Sequence, residues 1–192
     1  MSNLDNQLFL LLNADASPNA AVAWLAIFIT RFLVLVIPVY LVGLWVAGGG
    51  RNRLTAIALT LALVIAILMS FVIGLVYFHP RPFMAGLGTA LVEHRPNSSF
   101  PSNHALVFAT CAAVLFFLRR RAMAWVAVAL GVLVGWSRIY VGVHYPLDMV
   151  GSIVVAVLAA MASLWIMDRH GAQLLALAQR TQNLLLARFV RT

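Results

Sequence analysis

Two long apolar runs are joined by Ser137-Arg138-Ile139-Tyr140-Val141-Gly142-Val143-His144-Tyr145-Pro146-Leu147-Asp148, which sets an arginine, a histidine and an aspartate at fixed spacing. Pro146 suits the first turn of a helix, and that helix would hold His144 and Asp148 about one turn apart on the same side. An imidazole that a carboxylate orients can act as a nucleophile or a base. The alternative for this stretch alone is that His144 and Asp148 cap the next helix while Arg138 extends to lipid head groups.

The whole chain has the composition of a multi-pass membrane protein. Of its 192 residues, 64% are hydrophobic and 9% are charged, and several apolar runs exceed the roughly 20 residues that cross a bilayer. All 13 basic residues are arginines, which against 5 acidic residues give a net charge of +8. Because these arginines fall in membrane loops, no nucleic-acid partner is expected. Cys111 is the only cysteine, so neither an intramolecular disulfide nor a cysteine-based metal site is possible.

Five membrane spans are predicted, and the fold class is therefore an all-α polytopic membrane helical bundle. The spans run from Ala21 to Ala47, from Leu54 to Phe78, from Ser102 to Arg119-Arg120-Arg121, from Ala122 to Trp136 and from Pro146 to Met167. Amphipathic interfacial helices are expected near both termini, over Leu4 to Leu12 and over Ala172 to Val190. The first apolar run has no basic region before it and no cleavage site after it, so we expect a retained span rather than a signal peptide. No repeat or linker divides the chain, which predicts one domain over residues 1–192.

The arginines predict the orientation in the membrane. Arg81, Arg95 and Arg138 lie in loops on one side, and Arg31 lies within the first span. The loops on the other side and the tail carry the remaining ones, which are Arg51, Arg53, Arg119, Arg120, Arg121, Arg169, Arg180, Arg188 and Arg191. By the positive-inside rule this larger group is cytoplasmic. An odd number of spans then places the N-terminus outside and the C-terminus in the cytoplasm.

This topology brings three polar clusters to the outer side. They are Arg81-Pro82, Pro101-Ser102-Asn103-His104, and Arg138 with His144 and Asp148. Two guanidiniums suit a tetrahedral oxyanion, and the N–H groups that open the third span add a second anion-binding element. Two histidines can supply a nucleophile and a general acid. The clusters therefore predict one site that binds an anion and acts on it.

The three clusters, in this order, resemble the signature of the type 2 phosphatidic acid phosphatase superfamily of membrane lipid phosphatases. The resemblance covers roughly Gly74 to Gly151, and among the members the chain is most similar to the small bacterial undecaprenyl-diphosphate phosphatases. It implies metal-independent hydrolysis through a phosphohistidine, with no cofactor. By the same resemblance, His144 is the nucleophile, Asp148 its orienting partner, His104 the acid for the leaving group, and Arg81, Ser102, Asn103 and Arg138 the phosphate cradle.

The resemblance also implies a substrate and a location. We expect a polyprenyl diphosphate, foremost undecaprenyl diphosphate, to be cut to the monophosphate and phosphate at the outer face of the bacterial cytoplasmic membrane, which recycles the cell-wall lipid carrier. The lipid tail would stay in the bilayer. Phosphatidylglycerophosphate, lipid A, phosphatidic acid and phosphate transfer to another acceptor stay open as alternatives, and so does the oligomeric state.

The chain departs from the family pattern at Gly74, where a lysine is usual, and no other lysine is present to replace it. Arg31 is costly inside lipid, so it is expected either to reach the site in place of that lysine or to snorkel to the outer head groups. Arg95, in the outer loop Glu93-His94-Arg95, is a second candidate for a substrate contact, although this loop could also be merely solvated.

Two other function classes are considered. His104, His144 and Asp148 form a possible metal set of two histidines and one carboxylate, but two arginines in the same site would repel a cation. A transporter or scaffold whose polar residues line a path is the second class. Transporters usually show inverted repeats and more spans, and this sequence has neither. His79 is expected only to mark the end of the second span.

Overall fold

The computed structural model describes residues 3–189, with side chains to residue 187, and these residues form seven α-helices. In chain order they are α1 (Asn3–Leu12), α2 (Ala20–Phe32), α3 (Val36–Val46), α4 (Gly50–Val76), α5 (Asn103–Phe117), α6 (Arg121–Tyr140) and α7 (Pro146–Phe189). Short 3-10 turns lie at Leu33–Leu35 and Pro82–Ala85. The predicted all-α class is confirmed. The Arg188 side chain, Val190 and Arg191, which the sequence assigns to the tail, lie outside the described residues.

The predicted spans correspond to helices of the structure. Within residues 3–189, the segments long and apolar enough to cross a membrane are Ala20–Val46, Gly50–Val76, Arg121–Tyr140 and Pro146–Ala187. The remaining predicted span is α5, a shorter apolar helix of 15 residues. The first segment is interrupted at Leu33–Leu35 because Pro38 lacks an N–H group and its ring crowds the carbonyl of Val34.

Helix α5 lies at the centre of the bundle. It packs against α4, α6 and α7, and its side chains Leu106, Phe108 and Val114 are fully buried. The outer helices instead expose large apolar side chains, such as Leu68 on α4 and Val132 on α6. Apolar residues on all sides of a helix are typical of a bundle that faces lipid. Ser102, which precedes α5, is fully buried among the surrounding helices, whereas Asn103 is exposed.

Helix α7 differs from its predicted division into a span and a separate surface helix. It continues without a break from Pro146 to Phe189. The junction between the two predicted parts contains no proline, and Gly171 costs only about 1 kcal/mol relative to alanine inside a helix, which does not end it. The later part of α7 contacts α3, because Trp45 Nε1 at the end of α3 donates to Gln182 Oε1 at 3.0 Å.

The predicted helix over Leu4 to Leu12 forms as α1, which packs against α6 and α7, and its interfacial position stays a prediction. Phe9 is fully buried against the ring of Tyr145, with 5.4 Å between ring centroids. The Asn13 amide donates to the carbonyls of Thr89 at 2.9 Å and Tyr140 at 3.0 Å, and its oxygen accepts from the Thr89 N–H at 2.6 Å. Asn13 thereby ties the loop before α5 to the end of α6. That loop passes so close to Gly142, which has φ +83°, that a side chain there would collide with the Thr89 carbonyl.

Candidate active site

His144 and Asp148 form the buried centre of the site. His144 ends the loop between α6 and α7, and Asp148 lies in the first turn of α7; the two are 2% and 0% exposed. His144 Nδ1 is 3.1 Å from Asp148 Oδ2. The same oxygen accepts from the Tyr145 N–H at 2.8 Å and from the Ser99 hydroxyl. Three donors thus converge on one oxygen, which directs that oxygen at the imidazole.

Arg81 fixes which nitrogen of His144 carries the proton. Its Nη1 lies 3.1 Å from His144 Nε2. A guanidinium only donates, so Nε2 must accept, and the imidazole proton lies on Nδ1, where Asp148 accepts it. The Nε2 lone pair accepts from Arg81, and Nε2 is the nitrogen that could attack an electrophile once that hydrogen bond is released.

The remaining hydrogen bonds of Arg81 are made within the protein. Its Nη1 also donates to the Val143 carbonyl at 2.8 Å, Nη2 to the Ser98 carbonyl at 3.0 Å and Nε to Asn97 Oδ1 at 3.0 Å. Burial lowers the pKa of Arg81 to about 10, which still leaves it charged at neutral pH. With four of its five N–H groups engaged, Arg81 supplies a fixed positive charge beside Nε2 and has one N–H left for an anion.

Arg138 and Ser102, unlike Arg81, have buried polar atoms without hydrogen-bond partners in the described part of the chain. Arg138, at the end of α6, is 3% exposed, and among residues 3–189 its Nε has no hydrogen-bond partner. The Ser102 hydroxyl, at the start of α5, is likewise buried and unpaired within the described part of the chain. Leaving a buried donor unpaired costs on the order of 1–3 kcal/mol, and more for a charged group. Two such donors near a positively charged centre are suited to an anionic ligand.

His104 and Asn103 begin α5 beside this cradle. His104 is half-buried and interacts electrostatically with Arg138, His94 and Arg81. Asn103 is exposed, and its side-chain oxygen accepts from the Ser70 hydroxyl of α4 at 2.7 Å. That bond leaves the amide N–H₂ of Asn103 free to point elsewhere. The structure thus brings His104 into the arginine cluster and keeps Asn103 at its edge.

The electrostatics of the site favour a neutral His144. Burial lowers the pKa of His144 well below its ordinary value; the hydrogen bond to Asp148 opposes this shift, and the charge of Arg138 reinforces it. His94 stands at the entrance, with its ring 6.4 Å from that of His144. Burial lowers the pKa of His94 as well, against the effect of its hydrogen bond to the Arg95 carbonyl. Both rings are therefore uncharged at neutral pH, and Arg81 and Arg138 supply permanent positive charge to the site.

No hydrogen bond within residues 3–189 joins the side chains of the two tentative substrate contacts to this cluster. Arg31 and Arg95 are both exposed, and neither side chain has a hydrogen bond or an ion pair to any residue of the described range 3–189. The choice between a substrate contact and snorkelling for Arg31 stays a prediction. Gly74 does lie close to the site, since a Cβ there would touch Ser98 at 3.8 Å, an ordinary contact distance. A longer side chain at position 74 would begin next to the residue whose carbonyl holds Arg81.

Three further residues of the site were not recognised from the sequence. Ser99 donates to Asp148, and His79 Nδ1 lies 3.5 Å from the other Asp148 oxygen. Asp5 is 3% exposed and accepts from the Leu147 N–H at 3.1 Å, which caps α7 from the far end of the chain. A carboxylate inside the apolar segment Leu4 to Leu12 was the available signal for Asp5. His79 was discounted as the mere end of a span.

The metal alternative finds little support in the arrangement of the ligands. Both ring nitrogens of His144 are engaged, one by a carboxylate and one by a guanidinium that would repel a cation. Among residues 3–189, no group of three or more His, Cys, Asp or Glu side chains is placed to hold a metal ion. The site is arranged around anion binding, with an imidazole of fixed tautomer at its centre.

Comparison with known proteins agrees with this chemistry. The sequence profile of the PAP2 superfamily matches residues 53–172. The putative undecaprenyl-diphosphatase YbjG of Escherichia coli is 33% identical over 91% of this chain and 88% of its own length. The undecaprenyl-diphosphatase BcrC of Bacillus subtilis is 33% identical over 81% of this chain and 80% of its own. The crystal structure of Aquifex aeolicus LpxE has the same fold, with a TM-score of 0.67 at 23% identity over 85% of this chain and 96% of that one. The chain belongs to the PAP2 superfamily.

Proposed function

We propose that this protein is an undecaprenyl-diphosphate phosphatase, which hydrolyses the lipid diphosphate to the monophosphate and inorganic phosphate. The observation that carries the proposal is the His144 imidazole, buried and held by Asp148 with its Nε2 lone pair beside a guanidinium. The names of the relatives from E. coli and B. subtilis, which align over most of the chain, support this substrate. We also propose that residues 1–192 form a single domain.

The reaction proceeds in two steps. His144 Nε2 attacks the terminal phosphorus, the bond from that phosphorus to the bridging oxygen breaks, and His104 gives a proton to the departing lipid monophosphate. Water then attacks the phosphohistidine and His104 takes the proton of that water. The bond from phosphorus to His144 Nε2 breaks, which releases inorganic phosphate and restores the neutral imidazole. Asp148 stabilises the positive charge that builds on His144 during attack, as a carboxylate does for an imidazolium.

Arginines hold the transferred phosphate. Arg138 uses the unpaired Nε and the neighbouring N–H groups of its planar fork, while Ser102 and Asn103 add donors at the start of α5. Arg81 moves its Nη1 from Nε2 to a phosphate oxygen as the substrate arrives, which releases the lone pair for attack. Fixed positive charge of this kind makes a metal ion unnecessary, so activity is metal-independent.

We further propose that the site opens on the outer face of the bacterial cytoplasmic membrane, with the C-terminus in the cytoplasm. The arginine-rich loop Arg119-Arg120-Arg121 and the tail lie at the end of the bundle opposite His144, as the positive-inside rule requires. Helix α5 rises only about 22 Å, less than the roughly 30 Å apolar layer, so the site is set below the head groups. The polyprenyl tail can then remain in the bilayer while the diphosphate enters.

The test is phosphate release by the purified protein in the presence of a chelator. Undecaprenyl diphosphate is compared with phosphatidylglycerophosphate, phosphatidic acid and lipid A. His144→Gln is compared with His170→Gln, a change at an exposed residue in the middle of α7. We expect undecaprenyl diphosphate to be the best substrate, with activity lost in the first variant and kept in the second. A better turnover of phosphatidic acid, or dependence on added metal, would contradict the proposal. Absence of hydrolysis with every lipid would leave the transport or scaffold class.

A further inference from the structure

The two oxygens of the Asp148 carboxylate have unequal surroundings. Oδ2 accepts from Ser99, Tyr145 and His144, as described above. Oδ1 is buried and has no hydrogen-bond partner among residues 3–189. His79 Nδ1 lies 3.5 Å from Asp148 Oδ1. This nitrogen is also buried, and it has no hydrogen-bond partner within the described range. A buried donor or acceptor without a hydrogen bond destabilises the folded protein, and a hydrogen bond between two such groups removes that cost.

His79 is held in this position by its own contacts. Its backbone N–H donates to the Ser98 hydroxyl at 3.2 Å, and its carbonyl accepts from the Ser99 N–H at 2.7 Å. Its ring packs on Tyr145, with 5.2 Å between centroids, and stacks on Tyr77 at 6.0 Å with an interplanar angle of 11°. The side chain is 13% exposed. These contacts keep Nδ1 directed at the carboxylate.

We propose that His79 is a positioning residue that donates its Nδ1–H to Asp148 Oδ1. The inference rests on the proposed function, in which His144 is the nucleophile and Asp148 its orienting partner. With a donor on each oxygen, the carboxylate plane is fixed and Oδ2 stays directed at the His144 Nδ1–H. Hydrogen bonds in unliganded active sites are often long and shorten when the substrate binds, so the 3.5 Å separation closes in the complex. Asp148 thus stands between two histidines, one that reacts and one that orients.

A double-mutant cycle separates this role from simple packing. His79→Leu removes the donor, His79→Asn keeps an N–H at the position of Nδ1, and each is measured alone and combined with Asp148→Asn. The matched control is His170→Leu, on the exposed cytoplasmic part of α7. The readouts are kcat and KM for undecaprenyl diphosphate, with the unfolding temperature of each variant.

We expect His79→Leu to lower kcat about tenfold to a hundredfold, the factor that one hydrogen bond to a charged group supplies, with KM unchanged. His79→Asn should recover most of this loss. In the Asp148→Asn background, an amide N–H takes the position of Oδ1 and cannot accept, so His79→Leu should cost less than about threefold more. If His79→Leu does not fold, His79→Asn and His79→Asp replace it as a pair of equal size, and only the second should lose activity.

Two results would overturn the inference while leaving the proposed function standing. One is an active wild-type protein in which His79→Leu keeps kcat within twofold. The other is an equal loss from His79→Leu with and without Asp148→Asn, which indicates packing alone. A wild-type protein that releases no phosphate from the lipid diphosphate would instead overturn the proposed function, and this inference with it.

Discussion

Replacing the Asp148 carboxylate by an amide should slow the chemical step and leave substrate binding nearly unchanged. Asp148→Asn keeps an oxygen for the Tyr145 N–H, which is 2.8 Å away, so the loop around His144 should retain its shape. The change removes the negative charge opposite Nδ1. That charge matters most when Nε2 bonds to phosphorus, because the imidazole then becomes positive.

The size of the effect follows from the geometry. With His144 Nδ1 3.1 Å from Asp148 Oδ2, the two charge centres are about 4 Å apart. At that separation, unit charges interact by about 4 kcal/mol at an effective dielectric constant of 20. Since each 1.36 kcal/mol is a factor of ten in rate, kcat should fall about a thousandfold. KM should change by less than about threefold, since the substrate complex holds His144 uncharged.

Single-turnover phosphate release from undecaprenyl diphosphate measures this directly, beside thermal unfolding of the same preparations. Asp168→Asn, an exposed carboxylate on the same helix α7, is the matched control and should behave as the wild type. An Asp148→Asn protein that folds normally and keeps kcat within tenfold of the wild type would refute the reasoning.

Three further predictions concern pH, substrate choice and topology. Because burial lowers the pKa of His144, this imidazole stays neutral at pH values below the ordinary histidine pKa of about 6.5. The acid limb of a kcat/KM profile should therefore lie below about pH 6.5, and an acid limb at or above that pH would contradict the prediction. Gly74→Lys restores the cation usual in the family, at a position where Cβ meets Ser98 at 3.8 Å. We expect the wild type to prefer diphosphate over monophosphate lipids by about tenfold to a hundredfold, and this preference should shrink in the variant. An unchanged ratio of the two activities in paired assays would contradict this prediction. Reporters fused after Gly50 or Arg121 should be cytoplasmic and one inserted near Gly88 external, and a cytoplasmic signal from the last would reverse the assigned orientation.

The bundle could be predicted from the sequence because its signals are local. Long apolar runs define the spans, and the polar clusters at the ends of these runs indicate where an anion-binding site lies. Arg81, Ser102 and Asp148 are expected to lie close together if the loops that hold them are on the same side of the membrane. Their contacts accord with that, since Arg81 reaches His144 and the Ser102 N–H lies 3.4 Å from the Asp148 carbonyl.

The contacts that complete the site could not be predicted in this way, because they join distant parts of the chain. Asp5 meets Leu147 across 142 positions, and Ser99 meets Asp148 across 49. No periodicity connects such residues. The different use of the two arginines is also a property of packing: Arg81 is held by carbonyls of its surroundings, whereas the Arg138 Nε has no partner within residues 3–189. The continuous α7 was missed for a local reason, since a charged turn resembles a helix end.

The most direct test of the account is the identity of the phosphorylated residue. Undecaprenyl diphosphate labelled with ³²P in its terminal phosphate is mixed with the protein, quenched within one turnover and digested for peptide mapping. We predict an acid-labile, base-stable label on the peptide that contains His144. This label should form with a chelator present and should be absent from His144→Ala. His104→Ala should still form the label but release it slowly. Label on another residue, or phosphate release by His144→Ala at the wild-type rate, would contradict the central claim that His144 is the nucleophile.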